Sequence, residues 1–184
     1  TLVVNYGWIS ETITSQYEAN AFRNGGNTIG VSYSAIEKFN VTTGSGADYI
    51  LTGSGADTVR TGAGDDTIDT GVGAAVVDGG SGSDHWTVDL SGATGGGVLD
   101  LRNGATQSFL GGSVTAIEEL HLSTGQGSDI ITTLVGAGLL SNDWIDTGGG
   151  QDVITVGAGR DFVQGGTGVD TLVVDYSWIG ETIT

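Results

Sequence analysis

Hydrophobic and polar positions recur with a period of nine residues over two long stretches of the chain. The first stretch reads TGSGADYIL, TGSGADTVR, TGAGDDTID, TGVGAAVVD and GGSGSDHWT from Thr43 to Thr87. The second begins with TGQGSDIIT at Thr124 and continues as TGGGQDVIT, VGAGRDFVQ and GGTGVDTLV from Thr147 to Val173. The last three residues of each unit place an apolar residue between two others. Each unit therefore predicts one short β-strand.

The apolar middle residue of each triplet points to one face of its strand, because side chains alternate across a strand. The predicted inward residues are Ile50, Val59, Ile68, Val77 and Trp86 in the first stretch and Ile131, Ile145, Ile154, Val163 and Leu172 in the second. One inward residue per strand predicts a thin core between two parallel sheets. Two units then form one coil of a solenoid, so that units n and n+2 stack about 4.8 Å apart.

This stacking sorts the aspartates at the sixth position of the units into rows. The predicted rows are Asp48, Asp66 and Asp84; Asp57, whose partner position is Ala75; Asp129, Asp152 and Asp170; and Asp143 with Asp161. Carboxylates about 5 Å apart repel each other by roughly 3 kcal/mol at an effective dielectric constant near 20. A divalent cation between two carboxylates reverses the sign. The rows predict five paired cation sites and a chain that loosens without metal.

The chemistry of the units favours calcium. Glycines on either side of one residue allow positive φ and close approach of the backbone, so carbonyl oxygens can join the carboxylates as ligands. An all-oxygen ligand set suits calcium and does not suit zinc or copper. The units resemble the RTX (repeats-in-toxin) calcium-binding nonapeptide G-G-x-G-x-D-x-U-x of the parallel β-roll. The resemblance covers about half of the chain and implies several Ca2+ ions as cofactor.

We expect the metal ligands to come from the first, third and sixth positions of the units. The expected set is Thr43, Ser45, Asp48, Thr52, Ser54, Asp57, Thr61, Ala63, Asp66, Gly79, Ser81, Asp84, Thr124, Asp129, Asp143, Thr147, Gly149, Asp152, Val156, Ala158, Asp161, Gly165, Thr167 and Asp170. Two units depart from the pattern. Ala75 offers no carboxylate, and the lengthened unit between Thr132 and Thr147 predicts a bulged loop in which Asp143 lacks the usual preceding glycines.

The predicted fold class is all-β, a right-handed parallel β-roll in two calcium-binding blocks with hairpin-like capping and linking segments. The expected divisions are a β cap or linker at 1–42, a first block at 43–87, a β linker at 88–123, a second block at 124–173, and the start of a further repeat at 174–184. Asn103-Gly104 predicts a tight turn with 98–101 and 106–110 as hairpin arms. Val41 and Leu122 are predicted inward residues of a first coil without metal, and 8–18 is a weak helical candidate.

The two ends of the chain share a sequence. TLVVNYGWISETIT at 1–14 recurs as TLVVDYSWIGETIT at 171–184, with three differences in fourteen positions. HWTVDLSG from His85 parallels the same opening more weakly. We interpret the chain as a segment of a longer protein that holds one repeat of a tandem array and the start of the next. Neighbouring copies are then partners; coincidence or a duplicated cap is the alternative interpretation.

Composition narrows the function classes. The chain has 184 residues, 22 acidic and five basic residues, a formal net charge of −17, and no Cys, Pro or Met. No basic stripe exists to neutralise phosphate, so nucleic acid is not an expected partner. No apolar run approaches eighteen residues, so we expect no membrane insertion. The motifs of serine hydrolases, zinc proteases and phosphate loops are missing, and we predict no enzyme.

Histidine and tryptophan have plainer interpretations than ligand binding. His85 and His121 are 36 residues apart in sequence with no nearby cysteine, so we expect strand residues and no zinc site. Four tryptophans could form a sugar-stacking surface, but packing in the core or cap is the preferred interpretation: Trp8, Trp86, Trp144 and Trp178.

The resemblance implies export by type I secretion and a place outside, or on the surface of, a Gram-negative bacterium. Scarce cytosolic calcium would leave the chain loose for export, and external calcium would fold it. The first hypothesis is a calcium-folded structural repeat of an adhesin or surface-layer protein. The second is a calcium-dependent polysaccharide-binding module attached to a secreted enzyme, with extracellular glycan or the cell surface as partner.

Overall fold

The protein is described by a computed structural model that covers residues 1–16, 20–26, 28–133 and 140–177. All helical or strand elements in these residues are β-strands. Strands β1 to β7 are Leu2–Asn5, Ile13–Gln16, Ala21–Asn24, Gly30–Ser32, Phe39–Thr42, Tyr49–Leu51 and Thr58–Arg60. Strands β8 to β14 are Thr67–Val72, Val76–Asp78, His85–Asp89, Val98–Asp100, Gln107–Phe109, Gly112–Thr115 and Glu119–Ser123. Strands β15 to β21 are Ile130–Thr132, Trp144–Asp146, Gly149–Gly150, Val153–Val156, Phe162–Gln164, Thr167–Gly168 and Thr171–Val174.

Successive strands of the first block fall on two sheets in turn, as the nine-residue period predicts. One sheet has six strands in the order β1-β5-β7-β9-β13-β12, and the other has nine in the order β19-β16-β14-β10-β8-β6-β2-β3-β4. Within the block the neighbours are parallel and in register, with Val59 opposite Val77 and Ile50 opposite Ile68. The fold is a parallel β-roll, and none of the described residues forms a helix that could cross a membrane.

The nine-stranded sheet runs through both blocks. Strand β14 of the linker pairs with β10 of the first block on one side and with β16 of the second block on the other. On the other side of the core the second block uses a separate four-stranded sheet, β11-β15-β18-β21, and β17 pairs with β20 in a two-stranded sheet. The linker thus contributes β13 to the sheet of the first block and β11 to the sheet of the second.

The inward residues form the predicted thin core. Ile50, Val59, Ile68, Ile131 and Ile145 are fully buried. The inward residues predicted for the coils before each block are equally buried: Val41 and Leu122. Residues Val163 and Leu172 are exceptions, since the first is only half-buried and the second is 54% exposed. They lie on β19 and β21, the outermost strands of their sheets in the described part of the chain, so no further coil covers them.

The predicted hairpin around Asn103-Gly104 is wrong. Gly104 does make a turn with φ of 62°, but β11 before it pairs in parallel with β15, where Leu99 extends the core opposite Ile131. The hairpin forms one strand later, because β12 and β13 pair antiparallel across Leu110 and Gly111, both with positive φ. Burial of an apolar strand in the second block outweighs local pairing across the turn.

The segment before the first block is a small antiparallel sheet joined to the roll. Strands β2, β3 and β4 pair antiparallel in sequence order, and β2 also pairs in parallel with β6. The weak helical candidate therefore contains strand β2, and no helix is seen in its described residues. Phe22, Tyr33 and Phe39 pack their rings together over the start of the core, with centroids 5.0 to 5.9 Å apart.

Candidate metal centre

The glycine-rich loops stack directly on one another along each edge of the roll. Gly44, Gly62 and Gly80 lie above one another, and a Cβ on Gly80 would meet the carbonyl oxygen of Gly62 at 2.0 Å. Both Gly62 and Gly80 have φ of +96°, which side chains disfavour. Ala63 N–H donates to Gly44 O at 2.8 Å, and Ser81 N–H donates to Gly62 O at 2.9 Å. Third-position residues thus tie each loop to the one before it.

Asp48, Asp66 and Asp84 form the first predicted row. The N–H of Asp48 donates to Asp66 Oδ1 at 2.7 Å, and the N–H of Asp66 donates to Asp84 Oδ1 at 3.0 Å. At the start of the row, Ile13 N–H donates to Asp48 Oδ1 at 2.5 Å. Each carboxylate therefore uses one oxygen to hold the backbone of the preceding coil.

The second carboxylate oxygen of most row aspartates is buried and has no protein partner. Among the described residues these oxygens are Oδ2 of Asp48, Asp57, Asp66, Asp84, Asp152 and Asp161. A buried, unsatisfied carboxylate oxygen carries a large desolvation cost. A cation bound beside each oxygen removes that cost, so the donor set fits calcium.

First-position carbonyls lie at the same edge as these carboxylates. The hydroxyl of Thr43 donates to Thr61 O at 3.0 Å, and that of Thr61 donates to Gly79 O at 2.9 Å. A Cβ on Gly79 would lie 2.6 Å from Asp84 Oδ2, which shows how close the first and sixth positions of one loop are. The loop therefore brings together the residues expected to supply carbonyl and carboxylate ligands.

Burial also changes the acidity of the row. It raises the pKa of Asp48 and Asp66 and brings the pKa of Asp84 to about 7, with the neighbouring carboxylates of Asp66 and Glu118 acting in the same direction. The metal-free row therefore favours protons, and a bound cation favours the ionised form.

The second block repeats this arrangement in two rows. Asp129 N–H donates to Asp152 Oδ1 at 2.8 Å, and Asp152 N–H donates to Asp170 Oδ1 at 3.1 Å. In the other row Asp143 N–H donates to Asp161 Oδ1 at 3.0 Å. Burial raises the pKa of Asp129, Asp143 and Asp161. All five successive pairs predicted from the sequence are thus adjacent in the structure.

Comparison with known families identifies the loops. Residues 42–77 and 137–172 match the family model of the RTX calcium-binding nonapeptide repeat (4 copies). The two blocks are RTX repeats. RTX repeats bind several calcium ions in each block, so Ca2+ is the cofactor of this chain. No curated protein matches the chain.

In two of the row aspartates the second carboxylate oxygen has a protein partner. Oδ2 of Asp129 accepts a hydrogen bond from the hydroxyl of Thr124 at 2.6 Å, and Oδ2 of Asp143 accepts one from the hydroxyl of Ser141 at 2.8 Å. Asp143 is buried and in its row although the glycines before it are missing. The predicted bulged loop falls largely on residues 134–139, which lie outside the described residues.

Glu118 extends the first RTX row, and the nine-residue pattern does not reveal it. Its Oε2 accepts a hydrogen bond from Asp84 N–H at 2.8 Å, which is the contact that the next aspartate makes elsewhere in the row. Burial raises the pKa of the Glu118 carboxyl. The sequence signal for Glu118 is the Ile117-Glu118 dipeptide before the second block. The nonapeptide spacing does not place Glu118 next to Asp84, because the coil between them is 34 residues long.

His85 and His121 meet despite their separation in sequence. Strands β10 and β14 pair so that Glu119 lies opposite His85 and His121 lies opposite Thr87. Ligand atoms of His85, Glu119 and His121 lie within 4.8 Å of one another. Both ring nitrogens of His85 already have partners at 3.0 Å, Glu119 Oε1 and Thr87 Oγ1, so the cluster satisfies this ring without a metal.

The tryptophans occupy different environments. Trp86 is 2% exposed and donates from Nε1 to Thr70 Oγ1 at 3.0 Å, so it is a core residue as expected. Trp144 is 38% exposed and stacks on Phe162 with centroids 5.8 Å apart. Trp8 is 73% exposed, which does not fit packing in a cap. Trp178 lies outside the described residues.

Proposed function

We propose that this chain is a calcium-rigidified structural repeat of a secreted bacterial surface protein, of the adhesin or surface-layer type. The observation that carries the proposal is the set of buried Oδ2 atoms without a protein partner, aligned along the edges of the roll. With one inward residue per strand, the core is thin, and cations add the cohesion that a larger core would supply. The net charge of −17 also destabilises the folded chain through repulsion, and bound cations reduce that repulsion.

The proposal places the chain outside a Gram-negative cell, where calcium is abundant. Low calcium inside the cell keeps the carboxylates in repulsion and the roll unfolded, which suits export through a narrow channel. High calcium outside the cell folds the roll. The RTX family, typical of secreted Gram-negative proteins, supports this direction of transport.

Small-angle scattering tests the structural role directly. In calcium we expect the compact dimensions of a folded roll, and in chelator an expanded chain, with radii near the ~13–18 and ~30–45 Å expected for folded and unfolded chains of this size class. Magnesium is the control, since it retains its waters and demands a tighter octahedral shell. Identical scattering curves in calcium and chelator would contradict the proposal.

A second candidate function is calcium-dependent glycan binding. The stacked Trp144–Phe162 pair lies on the outer face of the nine-stranded sheet. Next to it, His121, Ser123 and Thr87 line a surface groove together with Trp144. An aromatic face beside a few polar groups suits the apolar face and hydroxyls of a sugar ring.

A glycan array in calcium separates the two candidates. A structural repeat shows no retention on any glycan, whereas a binding module shows retention that Trp144→Ala abolishes. Trp8→Ala is the matched control, because Trp8 is also exposed but lies far from this groove in sequence and on no strand of that sheet. Retention that survives Trp144→Ala would remove this groove as the glycan site.

A further inference from the structure

The same short strand occurs three times in the structure. It is β1 in the opening TLVVNYG, β21 in TLVVDYS, and β10 in HWTVDLS. All three end in the same turn, in which an Asn or Asp side chain accepts a hydrogen bond from the N–H two residues later. The acceptors are Asn5, Asp89 and Asp175, at 3.1, 2.8 and 3.0 Å.

These three strands differ in how many neighbours they have. Strand β10 pairs on one edge with the RTX strand β8 and on the other with β14. In the described part of the chain, β21 pairs only with the RTX strand β18, and β1 pairs only with β5. The middle strand therefore displays a complete junction, and the two end strands each display one half of it.

The registers of the two halves match the complete junction. Trp86 of β10 lies opposite Ile68 on one side and Leu120 on the other. Its equivalent in β21, Leu172, lies opposite Ile154 on the RTX side. Its equivalent in β1, Leu2, lies opposite Phe39 on the other side. The inward position is thus conserved through all three copies of the strand.

Hydrogen bonds toward the preceding RTX strand come from one set of amides. His85 N–H donates to Asp66 O at 2.9 Å, and its equivalent Thr171 N–H donates to Asp152 O at 2.8 Å. Because amides alternate along a strand, the other set is left to face the opposite edge.

Hydrogen bonds toward the following strand come from that other set. Leu90 N–H donates to Ser123 O at 2.7 Å, and its equivalent Tyr6 N–H donates to Thr42 O at 2.7 Å. At the first inward position, Leu2 N–H donates to Lys38 O at 2.8 Å. The two end strands therefore use complementary edges of the same sequence.

Side-chain burial differs between the two end strands. Val88 and Val4 are 2% and 4% exposed, whereas their equivalent Val174 is 47% exposed. Trp86 is 2% exposed, whereas Leu172 is 54% exposed. Among the described residues, strand β21 thus presents inward-type apolar residues and an edge without a partner strand, which is a combination that favours pairing with another chain segment.

We propose that β21 is the docking strand for a second copy of this repeat and takes the place of β1 in that copy. It then pairs with strand β5 of the second copy, with Leu172 opposite Phe39 and Val174 opposite Val41 of that copy. The four-stranded sheet of one repeat continues as the six-stranded sheet of the next, and the roll passes between repeats without a break. The inference rests on the proposed function only in requiring a calcium-folded roll.

Hydrogen exchange tests this junction in a two-repeat protein. The test protein is the full chain followed by a second copy of residues 15–184, and the reference is the chain itself, both in calcium. In the two-repeat protein the amide of Leu172 gains a partner, as Leu2 has in β1, and we expect its exchange to slow about tenfold or more. The amide of Thr171, already bonded to β18, changes little. Equal exchange of Leu172 in both proteins would overturn the proposal.

Paired substitutions on β21 provide a second readout. Val174→Asp should abolish the slower exchange at Leu172 in the two-repeat protein, because the equivalent side chains are buried. Val173→Asp is the matched control, since Val173 is 41% exposed and its equivalent Val3 is 67% exposed. In the single chain both variants should have similar, small effects. Circular dichroism in calcium shows that each protein is folded, so loss of calcium-dependent folding counts against the proposed function and not against the junction.

Discussion

At one edge of the first RTX block Asp48, Asp66 and Asp84 form a row, whereas at the opposite edge Asp57 has no carboxylate neighbour because Ala75 occupies the next position. The loops stack at both edges. At the Asp57 edge, Val76 N–H donates to Asp57 O at 2.8 Å and Ser113 N–H donates to Ala75 O at 2.9 Å. Stacking of coils therefore follows from backbone and glycine geometry, and the carboxylates add the requirement for a cation.

Removal of calcium should have the largest effect, because it acts on every carboxylate row at once. We expect far-UV circular dichroism to show little β signal in chelator and a cooperative gain when calcium is added. Magnesium should not replace calcium. A full β signal after exhaustive chelation would mean that stacking alone holds the roll at both edges.

Single aspartate deletions should separate the two edges. Asp66 and Asp152 are each flanked by an aspartate on both sides, so replacement by Ala affects two sites and should destabilise the calcium-bound protein by about 3 kcal/mol. Asp57→Ala should lower the free energy of unfolding by only about 1 kcal/mol. The next position in the row of Asp57 is Ala75, so no second carboxylate shares a site with Asp57. Urea unfolding in saturating calcium measures the difference. Equal losses for the three variants would contradict the assignment of rows.

A gain-of-site variant sharpens the same comparison. Ala75→Asp places a carboxylate next to Asp57 and should add about one calcium ion to the number counted by calorimetric titration. At calcium concentrations that fold the parent but leave the new site empty, the variant should be less stable than the parent, since Ala75 is buried and a new charge would be unpaired there. Ala75→Asn controls for size. An unchanged calcium count would show that this edge does not have the geometry of a site.

The pH dependence should be the smallest effect and specific to the aspartate row. Burial raises the pKa of Asp84 to about 7, above its value in the unfolded chain. In the folded, metal-free row the stability that this group contributes is present below the unfolded pKa and is lost as pH rises through about 7. Calcium competes with the proton on Asp84, so the apparent calcium affinity should rise between about pH 5.5 and about pH 7.5. These two pH values lie below and above the pKa of about 7, so the carboxyl is mostly protonated at the first and mostly ionised at the second.

Titration of the parent and of Asp84→Asn at both pH values measures this effect. The variant should show a weaker dependence on pH, and Asp57→Asn is the control from the other edge. An identical pH dependence in the parent and in Asp84→Asn would remove Asp84 as the source.

The nine-residue period predicts the pairs of aspartates and the inward residues other than Val163 and Leu172, because strand alternation and two-unit coils are local rules. It could not locate Glu118 or the His85–His121 contact. Both depend on how β10 and β14 pair across 34 residues with no nonapeptide pattern. The hairpin at Leu110 was missed for a related reason, since Asn103-Gly104 is the stronger local turn signal but long-range burial of Leu99 decides the pairing.

Successive members of the carboxylate rows are separated by 18 residues between Asp48 and Asp66, by 23 between Asp129 and Asp152, and by 34 between Asp84 and Glu118. In each case a backbone N–H of one coil donates to a carboxylate oxygen of the next coil, although the number of residues in the coil nearly doubles. The same contact is therefore compatible with coils of different length, the longest of which contains the further strands β11 to β13. A peptide inserted at the exposed residues 103–106, within the long coil between Asp84 and Glu118, should therefore leave the row contact at Asp84 in place.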